Sequence, residues 1–535
     1  MNAAPVNSAL QAHTLQEYLD QTKHATTDNF GFPRHGGGFD YYTPQQIWHM
    51  ATKAMCTYQA AGLPSTEPQV VGLRAVSSAD FAIAFLSIVR LGHTVLVLWP
   101  TLDAAKVGVL MDKTNSRILI SGAKDANAFV KLGKTVIPLA TVQSLGGAAR
   151  GNPTQPLKPE DAPKPSFLIK DTDPAIIIHT SGSTGNPKPV PKTHAQIIRT
   201  LRTVPPSFID KSLFCGPWIH FSVGLYAMLY SFAKQGGPTY WASETSPPTP
   251  GTYRDIMLEI RPQLAWFNPV SLMATMATPE GVEALQKCIV VSTAGNVFPD
   301  QLGDRLVQVG VRLTNEYGMS ELSFSLSSAP RLRRPGDLGW QYLEADPVSA
   351  PHIRFRPLPA RNGGAEQLYE LVVLPSHPTQ DKRFANMPDG SFRTGDVFVK
   401  HPSAERYKCM GRMGDDVAIY PGNGRIVLNA VSYEHAVLAQ NEDILQEVLL
   451  FGNGRTEAGM LLFTKPGCVA SSAEVLRRVW ATVERQINGV LPAVLRKEML
   501  VIVRDEVLPY TAKGSIVRPE LYKRFESVIN AAYGL

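Results

Sequence analysis

Residues 180–188 carry the side chains that proteins use to hold a polyphosphate. Four hydroxyl residues, two glycines and one lysine follow directly after a strand pattern at Ala175–His179. Glycines let the backbone approach phosphate oxygens, hydroxyls donate hydrogen bonds, and the lysine adds positive charge. The Walker A spacing is absent, so a flexible Ser/Gly loop is the alternative to a nucleotide-binding loop. The candidate phosphate-binding residues are Thr180, Ser181, Gly182, Ser183, Thr184, Gly185 and Lys188.

Four more segments place polar and charged side chains at expected strand ends and turns. Residues 315–321 follow a strand pattern at Val309–Leu313, and residues 392–396 lie in a predicted hairpin. A short polar segment, Gly411–Asp416, and a lysine-containing segment, Pro509–Arg518, come nearer the C-terminus. Taken singly, each segment has an ordinary explanation, such as a core aromatic beside a capping acid or a solvated turn aspartate. The functional prediction therefore depends on the order of these segments along the chain.

The hydrophobic pattern predicts an α/β protein. In the first third of the chain, helical patterns such as Ser78–Leu91 alternate with short β-rich runs, which favours helices layered on mainly parallel strands. Residues 336–399 show strand-like runs separated by turn clusters, which predicts an antiparallel section. The last part, with an amphipathic helix pattern at Ser472–Asn488, is expected to form a separate α+β lobe. The short β-rich runs are Thr94–Trp99, Arg117–Ser121 and Thr135–Pro138.

Composition and charge exclude several classes of protein. The 535 residues are 44% hydrophobic and carry a net charge of +6 without a basic block, so we expect no nucleic-acid partner. Five widely spaced cysteines suit neither a disulfide framework nor a zinc site. The N-terminus has no signal-peptide pattern, and the most hydrophobic window, Phe81–Trp99, is interrupted by Arg90 and His93. We therefore expect a cytoplasmic protein with no membrane span.

In their order, the five segments resemble those of the adenylate-forming superfamily, which includes acyl-CoA synthetases and the adenylation domains of peptide synthetases. The ending and the region Val71–Trp99 are closest to the adenylation domains of fungal synthetase-like (NRPS-like) carboxylic acid reductases, and the resemblance extends to Arg518. It implies a large N-terminal domain of α/β layers and a β section over residues 1–411. A hinge at 412–416 and a small mobile α+β C-terminal lobe over 417–535 would follow.

The resemblance also implies roles in joining a carboxylate to the α-phosphate of ATP with release of pyrophosphate. The 180–188 loop holds the β- and γ-phosphates, Ser320 donates to the α-phosphate, and Glu321 binds Mg²⁺. Tyr317 stacks on adenine, and Asp396 accepts hydrogen bonds from the ribose. The expected nucleotide-binding residues outside the loop are Ala294, Gly295, Asn315, Glu316, Tyr317, Gly318, Asp396 and Arg412.

Two positions depart from the family pattern. The catalytic lysine usually follows a glycine, whereas Lys513 precedes one. By resemblance Lys513 bridges the carboxylate and the α-phosphate, with Lys497 and Lys523 as the alternatives. At the boundary the pattern GRxDD is altered by an inserted glycine, so the hinge residue is Gly414 or Asp415.

The substrate prediction rests on His220. In amino-acid-activating relatives an aspartate at this position pairs with the substrate ammonium, so a histidine disfavours α-amino acids. By resemblance His220 lines the entrance for the carboxylate, and its alternative is a core histidine. The surrounding apolar and aromatic candidates suit a rigid aryl acid of benzoate, salicylate or orsellinate type. The candidates are Phe221, Tyr226, Phe267, Pro269, Gly318 and Met319, with Asn268 and Thr293 expected to supply polar contacts. For Phe267 a core position is the alternative.

The predicted function is ATP-dependent activation of a carboxylic acid to an acyl-adenylate, followed by transfer to the phosphopantetheine thiol of a carrier domain. The sequence contains no carrier or dinucleotide-binding motif. We therefore expect the adenylation domain of a carboxylic acid reductase, with its carrier domain in cis in a longer parent protein. ATP and Mg²⁺ are the expected cofactors. The alternatives are a free-standing acyl- or aryl-CoA ligase and an inactive nucleotide-binding scaffold.

Overall fold

The chain divides into two compact units. The first comprises Met1–Val291 with Met319–Ser323, and the second comprises Ser292–Gly318 with Phe324–Leu535. The computed structural model describes residues 11–34, 37–122, 126–147, 162–180, 187–242, 250–359, 367–421, 426–485, 495–510 and 516–535.

The first unit alternates helices with short strands, as the sequence predicts. Helix α3 begins after Ser78, whose hydroxyl accepts from the Phe81 amide over 3.3 Å and so caps the helix. The helices are α1 (Leu15–Thr22), α2 (Pro44–Ala60), α3 (Ala79–Arg90), α4 (Ala104–Lys113), α5 (Ala126–Val130), α6 (His194–Arg202), α7 (Ser222–Ala233), α8 (Pro250–Ile260), α9 (Pro269–Met276) and α10 (Pro279–Gln286). The strands are β1 (Phe30–Pro33), β2 (Phe39–Tyr42), β3 (Val70–Arg74), β4 (Thr94–Leu98), β5 (Ile118–Ser121), β6 (Thr135–Pro138), β7 (Pro174–Thr180), β8 (Lys188–Thr193), β9 (Leu213–Cys215), β10 (Thr239–Trp241) and β11 (Leu264–Phe267).

Two sets of strands build the first unit. Six strands form a sheet in the order β6-β5-β3-β4-β7-β8, which is parallel except for the β7–β8 pair. The other strands follow the order β11-β9-β10-β1-β2, parallel as far as β1. Every residue of β4 is buried, as expected for a central strand covered on both faces. The predicted layering of helices on parallel strands is confirmed.

The second unit begins within strand β12 (Val290–Ala294), whose first two residues belong to the first unit. Its helices are α11 (Asp300–Gln308), α12 (Ala430–Gln440), α13 (Ser472–Val483), α14 (Arg518–Arg524) and α15 (Glu526–Ala532). Its further strands are β13 (Leu313–Met319), β14 (Ser323–Ser327), β15 (Tyr342–Ala345), β16 (Ile353–Pro357), β17 (Leu368–Val373), β18 (Phe392–Lys400), β19 (Tyr407–Arg412), β20 (Asp416–Ile419), β21 (Ile426–Asn429), β22 (Leu445–Phe451), β23 (Ala458–Thr464) and β24 (Leu495–Val503).

The strands of the second unit fall into three groups. Strands β13-β14-β15-β19-β18-β17-β16 follow one another in that order, antiparallel from β14 onward, which confirms the predicted antiparallel section. Strands β20 and β21 form a ribbon, and β22-β23-β24 form a small sheet. Alternate residues of β22 and β23 face α12 and α13 on one side and α14 and α15 on the other. The amphipathic helix predicted at Ser472–Asn488 is α13, which ends at Val483.

The predicted strand at Val309–Leu313 is wrong. Gly310 adopts φ +93° and closes helix α11, because its amide donates to Val307 and the Val311 amide donates to Leu306. The strand instead starts at Leu313 and contains the tyrosine-containing segment itself. The hydrophobic run was therefore divided between a helix end and a strand start.

None of the described helices combines the length and apolar composition needed to cross a bilayer.

Candidate active site

A hairpin of the first unit carries the predicted phosphate-binding loop. Strands β7 and β8 pair antiparallel with Thr180 opposite Lys188, so the first and last residues of the predicted loop lie side by side. Ala175–Ile178 are buried, which anchors the hairpin in the unit, while Lys188 is exposed. Five predicted loop residues lie outside the described part of the chain, and their role stays a prediction: Ser181, Gly182, Ser183, Thr184 and Gly185.

A buried lysine on the same hairpin holds the turn that contains Glu321. Lys192 Nζ donates to the Glu321 carbonyl over 2.8 Å, and only 2% of Lys192 is exposed. The turn, Ser320–Leu322, joins β13 to β14. The sequence interpretation missed Lys192. Its available signal was the alternation of the strand, which puts it on the same face as Lys188.

Glu321 suits a magnesium ion that is shared with a nucleotide. Its side chain and that of Ser320 are half-buried in the turn. Within the described ranges, no group of three His, Cys, Asp or Glu side chains forms a complete metal site. Mg²⁺ commonly takes one or two protein carboxylates and completes its shell with substrate phosphates and water. Glu321 therefore fits the part of a protein carboxylate ligand to a nucleotide-bound Mg²⁺.

His220 is enclosed by aromatic rings of the first unit. Only 1% of His220 is exposed, and the ring centroids of Phe221 and Trp218 lie 4.6 Å and 5.5 Å from its own. Trp99 Nε1 donates to the His220 carbonyl over 3.2 Å, which fixes the backbone of this turn. A charged group would lose most of its hydration in such apolar surroundings.

A second histidine, His179, belongs to the same cluster and was missed by the sequence interpretation. Its ring centroid lies 4.1 Å from that of Trp99, at the end of β7 beside Thr180. Burial lowers the pKa of the His179 imidazole to about 3, so the ring is neutral near pH 7. Neither of its ring nitrogens has a hydrogen-bond partner among the described residues. Its position directly before the hydroxyl-rich loop was the available signal.

Several predicted substrate residues of the first unit are buried or cap a helix, and their contact with a substrate stays a prediction. Phe267 is 1% exposed, and its ring centroid lies 5.4 Å from that of Phe214. Asn268 caps α9, because its side-chain oxygen accepts from the Ser271 amide over 2.8 Å. Three further candidates are buried as well: Tyr226 on α7, Pro269 at the start of α9, and Met319 at the end of β13.

In the second unit the structure brings together three of the predicted nucleotide-binding residues. Asp396 and Arg412 face each other across β18 and β19, and Arg412 Nε donates to Asp396 Oδ1 over 3.1 Å. The Tyr317 hydroxyl donates to Asp396 Oδ2 over 2.5 Å. Burial and the neighbouring Asp396 carboxylate raise the pKa of Tyr317 well above its usual value, so the hydroxyl keeps its proton. Each carboxylate oxygen still has acceptor capacity for a ribose hydroxyl.

The remaining predicted nucleotide-binding residues of β13 form hydrogen bonds with nearby serines or lie within the strand. The Asn315 amide donates to the Ser328 hydroxyl over 2.8 Å. Glu316 accepts from the Ser327 hydroxyl over 2.9 Å, and burial raises the pKa of Glu316 to about 7. Gly318 lies in the same strand, half-buried.

The end of β12 offers a close approach to the backbone. Thr293 is buried, and its hydroxyl has no hydrogen-bond partner among the residues that the structure describes. Ala294 ends the strand, and Gly295 adopts φ +95° with open space where a Cβ would stand. A flat ring could rest on such a position without meeting a side chain.

Lys513 lies outside the described residues, so its role stays a prediction. The segment that carries it has a defined base, because Tyr510 and Ile516 form an antiparallel bridge and the Val517 amide donates to Pro509 over 2.8 Å. The two alternatives, Lys497 on β24 and Lys523 on α14, are exposed.

The fold is that of a mixed α/β enzyme domain, and each unit contributes candidate groups for a nucleotide. Residues 41–347 match the AMP-binding enzyme family, and residues 418–534 match the AMP-binding enzyme C-terminal domain. Because the first match alone covers more than half of the 535 residues, the chain belongs to the AMP-binding enzyme family. It is an adenylate-forming enzyme domain, as the sequence predicted.

Known relatives agree with this assignment. The chain is 26% identical over 414 residues to an adenylate-forming reductase of Serpula lacrymans var. lacrymans, which covers 70% of this chain and 35% of the reductase. It thus spans about a third of the length of the curated relatives it matches. The adenylation domain of the carboxylate reductase from Mycobacterium chelonae shares the fold with a TM-score of 0.74 and 14% identity, over 99% of this chain and 93% of that one. An anthranilate CoA ligase in complex with anthranoyl-AMP also shares the fold, with a TM-score of 0.73 and 17% identity over 98% of each chain.

Proposed function

We propose that this domain converts an aromatic carboxylic acid and Mg²⁺-bound ATP to an aryl-adenylate and pyrophosphate. The acyl group then passes to the phosphopantetheine thiol of a carrier domain. We further propose that the domain belongs to a longer carboxylic acid reductase with the carrier in cis. The similarity to an adenylate-forming reductase of about twice this length supports that context.

The aromatic rings around His220 are the observation that supports an aromatic acid as the substrate. A bound α-amino acid would bring an ammonium, and a buried ammonium without a counter-charge costs several kcal/mol. An aryl ring loses no comparable solvation in the same surroundings and gains contact with other rings. The histidine stands where amino-acid-activating relatives have an aspartate, so the site lacks the fixed negative charge that an ammonium would need at that position.

The polar candidates bind the nucleotide, its magnesium ion and the reacting groups. Asp396 accepts the ribose hydroxyls while Arg412 and Tyr317 hold its carboxylate in place. Glu321 supplies an oxygen ligand to the magnesium ion that accompanies the nucleotide phosphates. Lys513 places a compact positive charge between two anionic reactants, which offsets their repulsion and orients the carboxylate for attack.

An ATP–pyrophosphate exchange screen tests this proposal. The panel contains benzoate, salicylate and orsellinate, a medium-chain and a long-chain fatty acid, and the aromatic α-amino acids. We expect an aryl acid to give the highest kcat/KM. A preference for any α-amino acid over every aryl acid would contradict the substrate class, and exchange with none of the acids would favour an inactive scaffold.

A free-standing aryl-CoA ligase is the second candidate. It is favoured by one observation, the match of this chain to nearly the full length of an anthranilate CoA ligase structure. The two candidates share the first half-reaction and differ in the thiol acceptor. Turnover of the aryl-adenylate with free CoA at a rate equal to or above that with a phosphopantetheinylated carrier would support the ligase.

A further inference from the structure

A buried ion pair of the second unit lies outside the predicted site. Arg518, the first residue of α14, donates from Nη1 to Glu434 Oε1 over 2.7 Å and from Nη2 to Glu434 Oε2. Glu434, on α12, is 3% exposed and also accepts from the Leu450 amide over 2.7 Å. Two parallel guanidinium bonds and one backbone bond satisfy this carboxylate well, which a buried charge pair needs. The position of Arg518 relative to α12 is therefore tightly defined.

Arg518 also faces the predicted hinge. Its Nε lies 3.7 Å from Asp415 Oδ1. The other hinge candidate, Gly414, is exposed, has a φ that any residue adopts, and has open space around its missing Cβ. Asp415 thus has a charged partner in the lobe, whereas the structure shows no conformational need for glycine at position 414.

The third neighbour of Arg518 is the base of segment 511–515. That base consists of the residues on either side of the segment, where Tyr510 and Ile516 form a bridge and the Val517 amide donates to the Pro509 carbonyl. Arg518 follows Val517 directly. One side chain therefore connects this base, the helix that carries Glu434, and the hinge residue Asp415.

The charges around Arg518 explain why an arginine suits this position. Burial, together with the nearby Glu434 carboxylate, raises the pKa of Glu447 to about 8, so Glu447 is mainly neutral at pH 7. Burial opposes ionisation of Arg518, but Glu434 outweighs it and leaves the pKa of the guanidinium above its usual value. A lysine would keep the positive charge and lose the bidentate geometry.

We propose that Arg518 is a positioning residue that couples the base of segment 511–515 to the hinge residue Asp415, with Glu434 as its anchor. The proposal deepens the proposed function and rests on it, because the coupling matters for the step that Lys513 serves.

Exchange kinetics give the first test, with Arg518→Lys, Asp415→Asn and their double variant. Arg524→Lys is the matched control, because Arg524 lies on the same helix and makes an exposed pair with Glu520 at 2.9 Å. We expect Arg518→Lys to lower the kcat of pyrophosphate exchange at least tenfold while the KM for ATP stays within twofold. Arg524→Lys should stay within twofold in both. The double variant should be no slower than the slower single variant, because both changes break one connection; additive losses would overturn the proposal.

Hydrogen exchange gives a readout that does not depend on activity. In Arg518→Lys, measured well below its melting temperature, we expect amides of the peptide 516–521 to exchange at least tenfold faster. Amides of β22 and β23 should keep their protection. Unchanged protection of 516–521 would overturn the coupling. If the wild-type protein shows no pyrophosphate exchange with any acid, the proposed function fails while this measurement still decides whether Arg518 holds the segment base.

Discussion

Arg412 and Asp396 face each other across two neighbouring strands, and Arg412 Nε donates to Asp396 Oδ1 over 3.1 Å. The arginine is largely exposed, whereas the carboxylate is buried. The second carboxylate oxygen accepts from Tyr317. Both carboxylate oxygens of Asp396 are therefore held in a fixed orientation, which is a condition for a strong hydrogen bond to a ribose.

Asp396→Asn should weaken nucleotide binding. The amide keeps the shape, but it loses the charge that strengthens the hydrogen bonds to ribose and to Arg412. We expect a loss of about 2 kcal/mol in ATP affinity, roughly 30-fold in Kd, by titration calorimetry. Asp389→Asn, in an exposed turn before the same strand, serves as the control. An unchanged Kd for Asp396→Asn would remove Asp396 from the nucleotide site.

Lys513→Ala should slow aryl-adenylate formation roughly 100-fold or more, because one positioned charge-stabilising donor is lost. ATP should still bind with nearly normal Kd, since the lysine acts on the reacting groups. Rapid-quench measurement of adenylate formation checks the rate. Lys497→Ala and Lys523→Ala, both at exposed positions, are the controls. If either control abolishes the reaction while Lys513→Ala keeps it, the lysine has been assigned wrongly.

Glu321→Gln should change the magnesium requirement. The variant keeps the side-chain shape and the backbone bond to Lys192 but removes the anionic oxygen ligand. We expect the Mg²⁺ concentration for half-maximal exchange to rise severalfold at saturating ATP. A titration curve that coincides with that of the wild-type protein would point to another ligand.

His220→Asp should impair aryl acids without creating amino acid activity. The new carboxylate would be enclosed by the rings of Phe221 and Trp218, where a charge is strongly disfavoured. His220→Asn, which stays neutral, is the control for loss of the imidazole alone. Exchange kinetics with benzoate-type acids should show a greater loss for the aspartate than for the asparagine. Equal losses would mean that charge at this position does not matter to the acid.

The buried His179 should make the protein sensitive to acid. Its folded pKa of about 3 lies below the ordinary value of 6.5, so the unfolded chain takes up the proton first and stability is lost as pH falls through 6.5. Between pH 7 and pH 5 this linkage costs about 2 kcal/mol. His179→Phe should therefore show a smaller fall in melting temperature over that range than the wild-type protein. His24→Gln, at an exposed position, should show the same decrease in melting temperature as the wild-type protein. If His179→Phe shows that decrease too, His179 is not the source of the acid sensitivity.

Local patterns were sufficient where one segment alone defines an element. The run Thr94–Trp99 predicted strand β4, and Ser78 predicted the start of α3, because alternation, burial and capping are properties of neighbouring residues. The same reasoning failed at Val309–Leu313. There a glycine with positive φ closes the preceding helix, and the choice between helix end and strand start depends on which carbonyls the amides reach.

The sequence by itself determined the family, the α/β class and the chemical types of the candidate residues, because those follow from ordered local segments. Only the tertiary structure decided which side chains meet. Lys192 reaches the Glu321 turn from a distant strand, His179 joins Trp99, and Arg518 pairs with Glu434. Each of these contacts links residues far apart in sequence, and each is decided by strand register and burial, which no single segment encodes.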